Sequence, residues 1–259
     1  MKVYYKIRNQ LIKVALLAVL LGFCGCQETD PSKANLPKDC RQVLMVVGKG
    51  WDDQTAKLQR FEKIEDEWRP VGRTLPVSLG RSGMGVGRGV RDISNFPGNA
   101  PRKKEGDGRS PAGIFTLGTT FGYEPGPSGF DMPYMQATVR DFFVDDSFSP
   151  EYNQWVRLED GEEPTKRWQT FEYMKRGDQL YELGIVVNHN TNPAVPKAGS
   201  AIFLHIWGGT NKPTAGCTAM EKAHLLELLH WLSDAYNPVL IQLPQEVFVN
   251  GEYANRFSF

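Results

Sequence analysis

Ala201-Ile202-Phe203-Leu204-His205-Ile206-Trp207-Gly208-Gly209-Thr210-Asn211-Lys212-Pro213-Thr214-Ala215-Gly216-Cys217 opens on an apolar strand and closes on a cysteine behind a glycine. The run from Ala201 to Ile206 has the short, branched and aromatic make-up of a core strand, and Gly208-Gly209 turns the chain out of it. Behind Cys217, Thr218-Ala219-Met220-Glu221 has the form of a capping box, with Thr218 as N-cap and Glu221 reaching back. Leu225, Leu228, Leu229 and Leu232 then recur at helical spacing, and Asn237-Pro238 ends the element. The expectation is one corner: strand, turn, loop, cysteine, helix.

Outward from this corner the chain reads as strands. Gln179 to Asn188 is a second core strand, and Val239 to Leu243 closes the sheet. Val43 to Val47 is a buried strand ended by Gly48-Lys49-Gly50, and Pro111 to Leu117 is a turn entering another. Residues 51–79 read as further strands, with no helical stripe. The glycine-dense stretch Gly80 to Gly113 reads as a loop; Gly85-Val86-Gly87 neither follows a long parallel strand nor opens an apolar helix, as a phosphate loop would. Residues 124–170 mix Pro, Gly, aromatics and acids, as in a long surface excursion. With Gly 26 and Pro 17 in 259 residues, the composition suits one β-rich domain with many turns. Lys plus Arg and Asp plus Glu are 30 each, so no net charge points to a nucleic-acid partner.

The N-terminus reads as a targeting segment. Lys2, Lys6, Arg8 and Lys13 precede the apolar run Val14 to Phe23, which falls well short of the ~20 residues of a spanning helix. Leu21-Gly22-Phe23-Cys24-Gly25-Cys26 resembles a bacterial lipoprotein processing site, with Cys26 the expected lipid acceptor and Cys24 the alternative. An uncleaved anchor or a plain secretory signal is the competing reading. The expected organisation is a signal over 1–26, a tether over 27–40, a catalytic domain over 41–249 and a C-terminal tail over 250–259. It places the protein at the cell envelope, held to a membrane surface by lipid.

Two cysteines then remain, Cys40 and Cys217. In an oxidising compartment two leftover thiols can pair, but Cys217 has a reactive setting and Cys40 reads as an ordinary strand-edge thiol. A thiol at a helix N-terminus has its pKa lowered, because the helix end favours the thiolate. Gly216 leaves room for substrate and for a backbone N–H aimed at an oxyanion. His205, at the end of its strand, is the candidate base.

His205 to Cys217, with Glu105-Gly-Asp-Gly-Arg-Ser-Pro-Ala-Gly-Ile-Phe115, Val144-Asp-Asp146, Tyr152-Asn153 and Tyr181-Glu-Leu-Gly-Ile-Val-Val-Asn188, resembles the L,D-transpeptidase catalytic-domain family of YkuD type over roughly residues 41–245. Ala215 stands where the commoner motif has histidine. The resemblance implies a mainly β fold, a sandwiched or curled mixed sheet with a few short peripheral helices. It implies Cys217 as nucleophile, His205 as general base, the Ile206 carbonyl as orienting group, Gly216 and Cys217 N–H as oxyanion hole, and Thr214 in support. The implied partners are peptidoglycan stem peptides, joined through a thioester intermediate without a cofactor. An L,D-carboxypeptidase or cross-link hydrolase shares such a site, and a non-catalytic peptidoglycan-binding lipoprotein is the rival of another class. A papain-like protease is disfavoured because its cysteine precedes its histidine.

The remaining polar candidates are weaker. His189 reads as a surface histidine near the same corner. His224 and His230 do not share a helix face, so they form no metal pair. Asp145-Asp146 reads as an acidic loop, and Tyr123, Trp155 and Trp168 as core aromatics rather than sugar platforms.

Overall fold

Strand β1 (Gln42–Gly48) is buried along its whole length because strands flank it on both sides. It runs antiparallel to β2 (Thr55–Ile64) and parallel to β13 (Val239–Pro244). Its side chains alternate between two cores. Leu44 and Val46 join one cluster, while Val43, Met45 and Val47 join another. The structure, a computed structural model, describes residues 36–257 apart from 38, 91–95, 97, 127, 128, 251 and 252. The basic opening, the apolar run, Cys24 and Cys26 lie outside the described residues.

Strand β3 (Glu67–Ser78) follows β2 through Glu65-Asp66, both at positive φ (50° and 66°), the two-residue turn whose twist matches a hairpin. Pro70 and Pro76 are tolerated in β3 because its far side is almost unpaired, meeting a neighbour only at Ser78. Strand β4 (Met84–Val86) lies parallel to the long β5 (Ser110–Gly122), and β6 (Tyr134–Gln136) pairs the end of β5. Residues 124–170 do not merely cross the surface. They build β7 (Asp141–Val144), β8 (Trp155–Arg157) and the short α1 (Pro164–Arg167), and β7 then pairs β8 and β9 (Phe171–Tyr173) in a three-stranded sheet. The reason is local: Phe142, Val144, Leu158 and Trp168 are buried together and need a layer of their own.

Strands β10 (Leu183–Val187), β11 (Phe203–Ile206) and β12 (Thr218–Met220) complete the large sheet, in the order β10-β11-β12-β3-β2-β1-β13-β5-β4. Because β10 also pairs β5, the sheet curls back on itself. The fold is mainly β with a few short helices, as expected. Helix α2 (Lys222–Trp231) buries Leu225, Leu228 and Leu229 against this core.

Thr218 does not cap that helix. Residues 218–220 are strand, Thr218 Oγ1 donates to Gln242 Oε1 at 2.6 Å, and α2 starts at Lys222 with Glu221 as an N-cap lacking a side-chain bond. Pairing with β11 and β3 buries this segment completely, and that outweighs a local cap worth about 1 kcal/mol. Past β13 come α3 (Gln245–Asn250) and α4 (Tyr253–Arg256). Phe257 packs on Phe61 and Trp68, with centroids at 5.1 and 5.2 Å, so this end of the chain belongs to the packed body.

Candidate active site

Phe203 and His205 are two apart on β11, so both side chains leave the same face of the strand. The parallel register, Leu204 with Thr218 and His205 with Ala219, brings Cys217 beside Phe203 at the entrance to β12. Residues 207–217 link these two parallel strands without a helix and form one wall of the site. Cys217, His205, Thr214 and Gly216 all line one cavity of about 440 Å³. Ile206 contributes through its carbonyl, which lies 2.7 Å from His205 Nδ1. A carbonyl only accepts, so Nδ1 carries the proton and Nε2 keeps its lone pair.

The sulfur has two backbone partners. Phe203 N–H donates to Sγ at 3.3 Å, and the thiol donates to the Ala201 carbonyl at 3.4 Å. The turn beneath it is stapled by hydroxyls: Ser110 Oγ and Thr214 Oγ1 donate to the Cys217 carbonyl at 2.8 and 2.7 Å. Thr214 Oγ1 also accepts the Gly216 N–H at 3.0 Å, so that N–H is engaged in this state. Gly216 has φ of 154°, a conformation that favours glycine, and a Cβ there would press on the Arg109 carbonyl at 3.1 Å.

The electrostatics differ from the expectation. Cys217 does not sit at a helix mouth, and its thiol is not acidified. Burial pushes it up to about 12, against a lowering contribution from the Phe203 N–H. Burial likewise pulls the His205 imidazole down to about 4, opposed by its bond to the Ile206 carbonyl. At neutral pH the two groups are therefore a thiol and a neutral imidazole rather than a charged pair.

Around them stands a charged wall that the motif reading did not assign. The Tyr181 ring stands edge-on to the His205 imidazole with centroids 5.2 Å apart, and the Arg176 guanidinium lies 4.9 Å from the Tyr181 ring. Arg176 bridges Glu172 at 3.2 Å and Asp178 at 2.6 Å. Asp145, Glu172 and Lys103 face the same cavity, and burial raises both carboxyls above their usual range. Asp146 instead organises a turn, accepting the Phe148 and Gln169 N–H groups. Ser110, Tyr181 and Asn153 had a signal in the motif segments that contain them, but nothing in sequence said what each touches.

The other candidates lie elsewhere. His189 is buried rather than on the surface, because Nδ1 accepts Arg88 N–H at 3.2 Å and Nε2 meets the Ala198 carbonyl at 3.1 Å. His224 contacts Arg73 at 2.9 Å, and His230 packs on Phe130 at 5.0 Å. Trp155 and Trp168 spend their indole N–H groups on Asp141 and Glu151. Cys40 and Cys217 are both free and buried, so no disulfide joins them. Cys40 lies on a larger cavity of about 820 Å³ lined by charged side chains such as Arg41, Lys63 and Asp66, and its thiol donates to the Gln42 carbonyl at 3.5 Å. Among the described residues no cluster of three or more His, Cys, Asp or Glu could hold a metal ion.

The family model for the L,D-transpeptidase catalytic domain, YkuD, matches residues 54–241, a span that contains every element lining the cavity. No curated protein and no solved structure matches the chain.

Proposed function

This chain belongs to the L,D-transpeptidase catalytic-domain family, which cross-links peptidoglycan in the cell envelope, and we propose that it does so by cysteine-dependent acyl transfer between stem peptides. The observation that carries the reading is the 2.7 Å contact between His205 Nδ1 and the Ile206 carbonyl: with Nδ1 so committed, Nε2 is left as the acceptor in a cavity shared with Cys217.

In this reading substrate entry drives the thiol proton to His205 Nε2 as sulfur attacks the carbonyl between an L-centred residue and a terminal D-alanine. The C–N bond breaks, the imidazolium returns the proton to the departing amine, and a thioester remains on Cys217. The amine of a second stem attacks that thioester, His205 takes its proton, and the sulfur leaves. The Cys217 N–H, with the Gly216 N–H once Thr214 releases it, serves the oxyanion. Thr214 and Ser110 keep the Cys217 carbonyl turned away from the reacting sulfur.

Lipid attachment at Cys26 belongs to the same proposal and rests on the basic opening, the apolar run and the small residue before that cysteine. Loss of membrane partition in Cys26→Ala, with Cys24→Ala unaffected, tests it.

The test of the chemistry is intact mass after incubation with a tetrapeptide muropeptide or a carbapenem. An acyl adduct that disappears in Cys217→Ser supports the proposal. Release of the acyl group to water alone, with a stem amine present, replaces transpeptidation by hydrolysis. A folded, reduced wild-type protein that forms no adduct sinks both.

A further inference from the structure

We infer that Asn153 is a positioning residue for the nucleophile, acting on Cys217 through the backbone of Ala201. This rests on the proposed role of Cys217.

Both backbone partners of the sulfur come from one short stretch, the Ala201 carbonyl and the Phe203 N–H. Ala201 is left-handed, at φ 52°, a conformation that a residue with a Cβ rarely adopts without outside support. The support is visible. The Ala201 N–H donates to Asn153 Oδ1 at 3.1 Å, and Asn153 Nδ2 donates to the carbonyls of His189 and Asn190 at 2.9 and 2.8 Å. One buried amide therefore uses its acceptor and both donors, which fixes its orientation. Asn153 is itself left-handed, at φ 62°, where asparagine is at home.

The neighbouring residues tighten the same strap. Tyr152 Oη accepts the Gly199 N–H at 3.1 Å, and Glu105 Oε2 accepts both the Tyr152 hydroxyl and the Ser200 hydroxyl. Consecutive residues 152 and 153 thus hold 199 and 201. Asn153 does not line the cavity, so it has no surface to offer a substrate. Its effect falls on where the sulfur sits relative to His205.

The experiment compares wild type, Asn153→Ala and Asn153→Ala/Ala201→Gly, reading kcat and KM on a muropeptide and the pH profile of Cys217 alkylation by iodoacetamide, mapped by peptide mass. Asn153→Ala lowers kcat about tenfold or more with KM held, since a small misplacement of a reacting group costs up to ~10²-fold. It also moves the alkylation profile. Glycine takes the left-handed conformation unaided, so the double variant recovers part of both. A rise in KM with kcat held, an unmoved alkylation profile, or no recovery overturns the inference. Should Asn153→Ala not fold, Ala201→Val decides: it keeps Asn153 and the N–H but opposes the left-handed backbone. A wild-type kcat there refutes the inference, and a matching loss supports it. If the wild-type protein turns over no muropeptide, the proposed function fails while the alkylation profiles still decide the positioning role.

Discussion

The backbone N–H of Phe203 points at the sulfur of Cys217 from 3.3 Å, across two parallel strands rather than from the end of a helix. A single neutral donor lowers the thiol pKa less than burial raises it, so the sulfur waits as a thiol. In the proposed mechanism the nucleophile is made only when substrate fills the cavity and the proton passes to imidazole.

Alkylation of Cys217 should record this. With the thiol pushed up to about 12, its rate in the free protein climbs steadily through neutral and alkaline pH. Iodoacetamide labelling followed by peptide mass measures it. A plateau already reached at neutral pH is the result that contradicts a protonated thiol.

The Cys217 carbonyl takes hydroxyls from both Ser110 and Thr214. Ser110→Ala or Thr214→Val alone leaves the carbonyl one partner but strips the Gly80 or Gly216 N–H of its acceptor, so each should cost about 1–3 kcal/mol. The double variant should cost more than the sum, since a buried carbonyl is then orphaned. Urea denaturation of the four proteins checks the non-additivity.

Asp141 is fully buried and accepts from Arg157, Trp155 and Thr138, tying together the small sheet beside the site. Burial alone raises its carboxyl pKa, but these bonds outweigh burial and hold it below 3.8. Its contribution is therefore present above about pH 4 and is lost as pH falls below that. Asp141→Asn should lose about 2–3 kcal/mol at neutral pH and show a flatter acid dependence, read by denaturant midpoints at several pH values.

Burial pulls His189 and His205 from 6.5 to about 4. The unfolded chain binds these protons near 6.5 and the folded chain does not. Stability is thus full above pH 6.5, falls between 6.5 and 4, and that contribution is gone below 4. His189→Gln, whose amide can replace both ring hydrogen bonds, should flatten that window in thermal melts. An unchanged slope counts against a buried neutral His189.

Much of the fold was legible because strand and helix periodicities are local. β1, β10, β11 and β13 stand where apolar runs predicted them, and Leu225, Leu228 and Leu229 form the buried face of α2. The capping-box reading failed because Thr218 and Glu221 satisfy a local pattern, whereas residues 218–220 are claimed by two distant strands. His189 was misread as a surface residue for a related reason: the Arg88 N–H that its ring accepts comes from about a hundred residues earlier in the chain.

By itself the sequence determined which atoms are candidates for the chemistry: a thiol behind a glycine, an imidazole ending a strand, and a hydroxyl at Thr214, all within one segment. Only the tertiary structure decided their state. The charge on Cys217 and His205 depends on how completely other strands exclude water, and the direction of the sulfur depends on Ala201, held by an amide 48 positions away. Residue types are written along the chain, but burial and hydrogen-bond direction arise only when distant segments meet.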